Sequence, residues 1–114
     1  MKRSEINQII KNSKEFLDQC HFYLPQFAYW TIQDWKNNDG NHQEIIKNHL
    51  GWDITDYGSE EFHKIGLMHF TIRNGRYEDI PDGGKNYCEK IMIIEDGQEG
   101  PMHFHYKKME DIIN

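Results

Sequence analysis

Apolar side chains recur along the first segment at Ile6, Ile9, Ile10, Phe16 and Leu17, with Lys and Asn among the residues between them. That spacing puts them on one face of a helix, with Ser4 as the expected N-cap. Pro25 stops any continuation, so the aromatic stretch from Phe22 to Trp30 is expected to be an extended connection. Thr31 and Asn41 each stand three places before an acid, Asp34 and Glu44, which is the signature of a helix start. The pattern predicts two short helices there, broken by the polar stretch 36–40, with Gly51 as the residue just past the second. Up to residue 60 only helices and turns are expected.

The period then changes. Met68, Phe70 and Ile72 alternate with Leu67, His69, Thr71 and Arg73, which predicts a strand with one wetter face. Asn74-Gly75 and Ile80–Gly84 are turn signals, and Tyr87–Glu95 reads as a second strand. Its continuous apolar run, Ile91 to Ile94, predicts burial on both faces. Asp96-Gly97 turns the chain again before a third extended segment, Pro101–Tyr106. The fold class expected is mainly β with an α-helical N-terminal extension. Residues 1–60 form the extension and 61–114 the first part of a small β-barrel or jelly roll, together one incomplete domain. So few strands cannot close a barrel, and Ile112 and Ile113 need a burial site, so the chain reads as interrupted. An apolar sheet face carrying Met68, Phe70, Ile72, Ile91 and Ile93 is expected to be left open and to favour association.

Composition narrows the class. A chain of 114 residues has room for one domain. Its mean hydropathy of −0.89 is low, but 13% aromatic residues supply large buried areas, so it is expected to fold. The net charge of −6 comes with no basic block, which argues against nucleic acid or a membrane surface as partner. No apolar run is long enough to cross a bilayer, and the Met-Lys-Arg-Ser-Glu start is not a signal peptide. Cys20 and Cys88 form no CxxC pair, so a reducing, cytoplasmic setting is expected.

The chemistry concentrates in Gly97-Gln-Glu-Gly-Pro-Met-His103-Phe-His105-Tyr-Lys-Lys-Met-Glu110. On a strand His103 and His105 share a face, and Glu110 follows at a distance that lets the chain bring a carboxylate back to both imidazoles. Two neutral imidazoles and a carboxylate suit a divalent transition metal with positions left open. The pattern H-x-H-x4-E arises by chance in roughly one chain of this composition in thirty. Lys90 precedes the apolar run Ile91–Ile94, where a charge is costly unless it faces a polar cavity or solvent, and it is a candidate for substrate binding. His69 is expected to be a satisfied, half-buried histidine rather than a ligand. His21, His42, His49 and His63 lack partner spacing and receive no role. Tyr29, Trp30 and Trp35 are expected to dock the extension, and Cys88 to be a small core residue.

The spacing G-x5-H-x-H-x4-E resembles the first motif of the cupin superfamily. Phe27-Ala-Tyr-Trp30, the Phe-Thr-Ile-Arg-Asn-Gly of 70–75, Tyr87-Cys-Glu-Lys90 and, above all, Pro101 to Asn114 are similar to the D-lyxose ketol-isomerases, over nearly the whole chain. The resemblance implies a partial cupin barrel, with His103, His105 and Glu110 as metal ligands, Mn²⁺ as the metal and Lys108 as a catalytic residue. It also implies interconversion of D-lyxose and D-xylulose, with D-mannose to D-fructose as a related reaction. A homodimer is expected for the full-length protein. Family members are about twice this long, which places a fourth ligand and the carboxylate base beyond residue 114 and predicts little activity for this chain alone. Two other readings remain open at this point: a cupin binding metal or sugar without catalysis, and a non-heme Fe(II) oxygenase, since two His and a carboxylate also suit Fe(II).

Overall fold

The computed structural model describes every residue except Asp39 and Asn41. It is a mixed unit, an N-terminal helix laid across one face of a three-stranded antiparallel sheet of order β1-β2-β3. Helix α1 spans Arg3–Gln19, α2 Ile32–Asn37 and α3 Gln43–Lys47; the strands are β1, Gly51–Thr55, β2, Leu67–Asn74, and β3, Cys88–Ile93. Single 3₁₀ segments occupy Gln26–Tyr29 and Tyr77–Asp82.

Helix α1 forms as its spacing predicts, starting two residues before its expected cap. Lys2 takes the N-cap place instead of Ser4, and its N–H donates to the Glu5 carboxylate at 3.4 Å. Ile9, Ser13 and Leu17 recur every fourth residue and are buried, with Ser13 Oγ donating to the Ile9 carbonyl. At the C-terminus His21 adopts φ 55°, and the Phe22 and His21 N–H groups close onto the Leu17 and Asp18 carbonyls. This is a Schellman ending with a histidine where glycine is usual. Helix α2 carries the expected capping box, Thr31 Oγ1 accepting from Asp34 N–H and the Asp34 carboxylate from Thr31 N–H. The Thr31 hydroxyl also donates to that carboxylate at 2.7 Å, and this bond, followed by the one from Thr31 N–H, holds the Asp34 carboxyl below its usual range. The expected cap at Asn41 lies outside the described residues.

Helix α3 ends differently from expectation. His49, at φ 54°, is the residue past the helix, and Leu50 N–H returns to the Ile45 carbonyl at 2.9 Å. Gly51, at φ 105°, instead opens β1, a strand that the helical reading of residues 1–60 does not contain. Its five residues alternate too briefly to register as a strand on their own, and β2 selects it by pairing. Ile54 lies opposite Met68, Asp53 opposite His69 and Trp52 opposite Phe70. On its other side β2 pairs with β3, Met68 opposite Ile93 and Phe70 opposite Ile91, with an irregularity between Thr71 and Arg73. Asn74-Gly75 ends β2 without making a tight hairpin: the chain passes through the 3₁₀ segment and returns to pair at Tyr87.

Alternation therefore sends Trp52, Ile54, Met68, Phe70, Ile91 and Ile93 to one face. This face is not open, contrary to expectation. Met68 and Phe70 are each 1% exposed, under Ile9, Leu17, Leu24, Phe27 and Ala28. The Trp52 indole N–H donates to the Ala28 carbonyl, fixing the 3₁₀ turn against β1. Docking thus falls to Phe27 and Ala28, while Tyr29 is exposed and Trp30 and Trp35 stack on each other. The run Ile91–Ile94 is half-buried, and on one face only, since Met92 and Ile94 are exposed; Cys88 is exposed rather than in the core.

Candidate functional site

After β3 the chain is clamped before it is released. The turn at Asp96-Gly97 brings Gln98 back into the body, where its amide donates to the Phe62 carbonyl and accepts from Glu95 N–H. Glu99 then exchanges backbone hydrogen bonds with Lys64 and Gly66. Gly66 permits this approach, because a Cβ there would lie 2.4 Å from the Phe62 carbonyl oxygen. From Gly100 to Asn114 every residue is exposed and none is in a strand or helix. The expected strand Pro101–Tyr106 is thus absent, since no described strand lies alongside it to take its backbone donors and acceptors.

Without a strand, the motif residues still gather. The His103 and His105 rings meet edge to face with centroids 5.0 Å apart. A bend at Tyr106-Lys107 returns the chain, and Glu110 Oε2 comes to 3.5 Å from His105 Nε2. Lys108 Nζ donates to the other oxygen, Glu110 Oε1, at 2.8 Å. That bond, followed by the lysine charge, holds the Glu110 carboxyl below the usual carboxylate range. His103 Nδ1 lies 3.0 Å from the Pro101 carbonyl, which as an acceptor calls for a proton on Nδ1 and leaves Nε2 free to act as a ligand.

Among the described residues no three donors converge on one point. The donor set nevertheless fits a divalent metal. Neighbouring ligands with bonds of about 2.1 Å stand about 3.0–3.4 Å apart, close to the His105–Glu110 separation. The His103 ring is exposed and beside His105.

A second polar group occupies the sheet face that the helix does not cover. Asp53 on β1, His69 on β2 and Lys90 on β3 stand side by side, with His69 Nε2 3.2 Å from Asp53 Oδ2 and 3.4 Å from Lys90 Nζ. Burial, then the Lys90 charge, pushes the His69 pKa down; Asp53 opposes this and the Lys108 charge adds to it.

A family model described as D-lyxose isomerase matches residues 1–114. The chain belongs to the D-lyxose isomerase family. It is 44% identical over 115 aligned positions to the D-lyxose/D-mannose isomerase of Escherichia coli O157:H7, and 42% identical to that of Serratia proteamaculans. Each match takes in 100% of this chain and 50% of the relative, so the chain spans about half the length of the curated relatives it matches.

Of the residues predicted for a D-lyxose isomerase site, His103, His105, Lys108 and Glu110 lie in one contiguous cluster. Lys90 stands apart from their direct contacts, paired with His69 instead. Asp53 was missed because its strand was missed; the signal available was the apolar-acid-apolar order Trp52-Asp53-Ile54. The remaining histidines have local explanations. His21 and His49 end helices, His42 lies against Trp35 with its Nδ1 2.7 Å from the Asn38 carbonyl, and His63 pairs with Glu95 at 2.7 Å.

Proposed function

We propose that this chain carries the metal-binding motif and part of the sugar site of an aldose–ketose isomerase acting on D-lyxose and D-mannose, built on a partial cupin fold. His103, His105 and Glu110 would hold a divalent ion, with Mn²⁺ the expected species. The observation that carries the reading is the convergence of His105 and Lys108 on the two oxygens of Glu110, in a chain whose family is D-lyxose isomerase. The ion, when bound, supplies Lewis-acid polarisation of vicinal sugar oxygens.

The chain's own residues set the rest. Lys108 orients the Glu110 carboxylate by donating to one of its oxygens. Its ammonium has further N–H groups for a sugar oxygen that gains negative charge as a proton moves between C1 and C2. Lys90 offers a donor to a hydroxyl from the sheet. The proton-abstracting base is unassigned.

Calorimetry with Mn²⁺ tests the ligand set. His105→Ala or Glu110→Ala should weaken binding tenfold or more, and His42→Ala or His63→Ala should not. Equal affinity across the four variants removes the assignment. An assay for D-xylulose formed from D-lyxose, with and without added Mn²⁺, tests the reaction.

A further inference from the structure

The row Asp53–His69–Lys90 crosses all three strands on the face that the helix leaves open. Register puts Asp53 directly opposite His69, and Lys90 diagonally across from it, opposite Thr71. The His69 side chain is only 12% exposed, whereas Asp53 is 65% exposed, so a ligand on this face would meet a fixed imidazole flanked by two reachable charges.

Beside the enclosed imidazole, Asp53 and Lys90 both keep polar atoms open to solvent. Both contacts of the His69 ring run through Nε2. With the proton on Nε2 the ring donates to Asp53 and turns a donor toward the Lys90 ammonium. With the proton on Nδ1 the ring accepts from Lys90 and leaves the exposed Asp53 carboxylate to solvent or a ligand. A neutral imidazole cannot serve both neighbours through Nε2 at once. A hydroxyl both donates and accepts, so two adjacent hydroxyls can replace solvent at Asp53 and Lys90 whichever nitrogen holds the proton. The formal charges of Asp53 and Lys90 cancel, which suits an uncharged polyol.

We propose that Asp53, His69 and Lys90 form the floor that positions the sugar, gripping hydroxyls of the substrate away from the metal-binding residues, with His69 as the anchor that holds Lys90 over the open face. This rests on the isomerase reading and adds to it two residues, Asp53 and His69. His69 is a positioning residue: it sets the place of the Lys90 ammonium and of the sugar, and takes no part in the proton transfer.

The test is a titration of the isotope-labelled 114-residue chain with D-lyxose and D-mannose in the absence of metal, followed through its histidine ring nitrogens and lysine side chains. Saturable shifts at His69 and Lys90 are expected. Lys90→Met, on an exposed group that the fold does not need, should weaken the response at His69 at least threefold. His69→Phe should weaken sugar binding tenfold or more. His69→Gln, which keeps a donor and an acceptor, should recover most of that loss, whereas a merely structural role would leave Gln no better than Phe. Saturable shifts confined to His103, His105 and Lys108 would overturn this inference and leave the isomerase reading standing. Shifts confined to His69 and Lys90 would keep the sugar floor and count against the cluster around Glu110 as part of the same site. No saturable shift at either place would overturn both.

Discussion

The two faces of this sheet are built from the same three strands, yet they behave as different materials. One presents Trp52, Ile54, Met68, Phe70, Ile91 and Ile93 to helix α1 and its following turn, and its central residues are almost wholly withdrawn from solvent. The other presents Asp53, His69, Thr71, Lys90 and Met92, all exposed or half-buried except Thr71. Strand alternation produces this split residue by residue, so a single strand supplies both packing and chemistry. The difference teaches where stability and function reside. The covered face holds the unit together, and the open face and the segment after Gly100 carry polar groups that packing does not require.

The comparison breaks first at Phe70. Its ring packs at 4.9 Å from Trp52 and 5.3 Å from Phe27, so Phe70→Ala should cost about 3–5 kcal/mol. Met92→Ala, on the opposite face, should change stability by no more than about 0.5 kcal/mol. Urea unfolding of both variants measures the contrast, and equal losses would mean that the open face is also covered in solution.

Gly66→Ala has a smaller but more local effect. The added methyl must push against the Phe62 carbonyl and the Gln98 amide, at a cost of about 1–3 kcal/mol. Because Gly66 and Gln98 also clamp the start of the C-terminal segment, amide exchange at Gln98 and Glu99 should accelerate more than at Phe70. Uniform acceleration would show that the clamp is not a separate unit.

The smallest expected effect is a pH dependence. Burial and the neighbouring lysine charges hold the His69 pKa below its usual value near 6.5, so the unfolded chain binds the proton more readily than the folded one. Stability from this group is complete above that value and is lost as pH falls through it toward the folded pKa. The melting temperature should decline as pH falls below about 6.5, and His69→Gln should flatten that decline. An unchanged slope in the variant would assign the dependence to other groups.

Much of this was legible because it is written locally. Helix α1 follows from apolar residues at helical spacing, the α2 cap from Thr31 and Asp34, and the β2 alternation from Met68, Phe70 and Ile72. The gathering of His103, His105, Lys108 and Glu110 is also local, since a bend within a few residues brings them together. Elements that depend on a partner were not legible. Strand β1 is only Gly51–Thr55 and exists through its pairing with β2. Conversely, Pro101–Tyr106 has strand-like residues and no described strand to pair with.

Spacing along the chain is enough to show which residues could form each helix, which side of β2 is apolar, and that His103, His105 and Glu110 lie close in sequence. That α1 folds back to cover the apolar face, and that Asp53, His69 and Lys90 meet across three strands, emerges only on folding. Asp53 and Lys90 are thirty-seven positions apart in the chain. No local spacing encodes such a meeting. It follows from strand register, and register is set by burying the opposite face of the same strands.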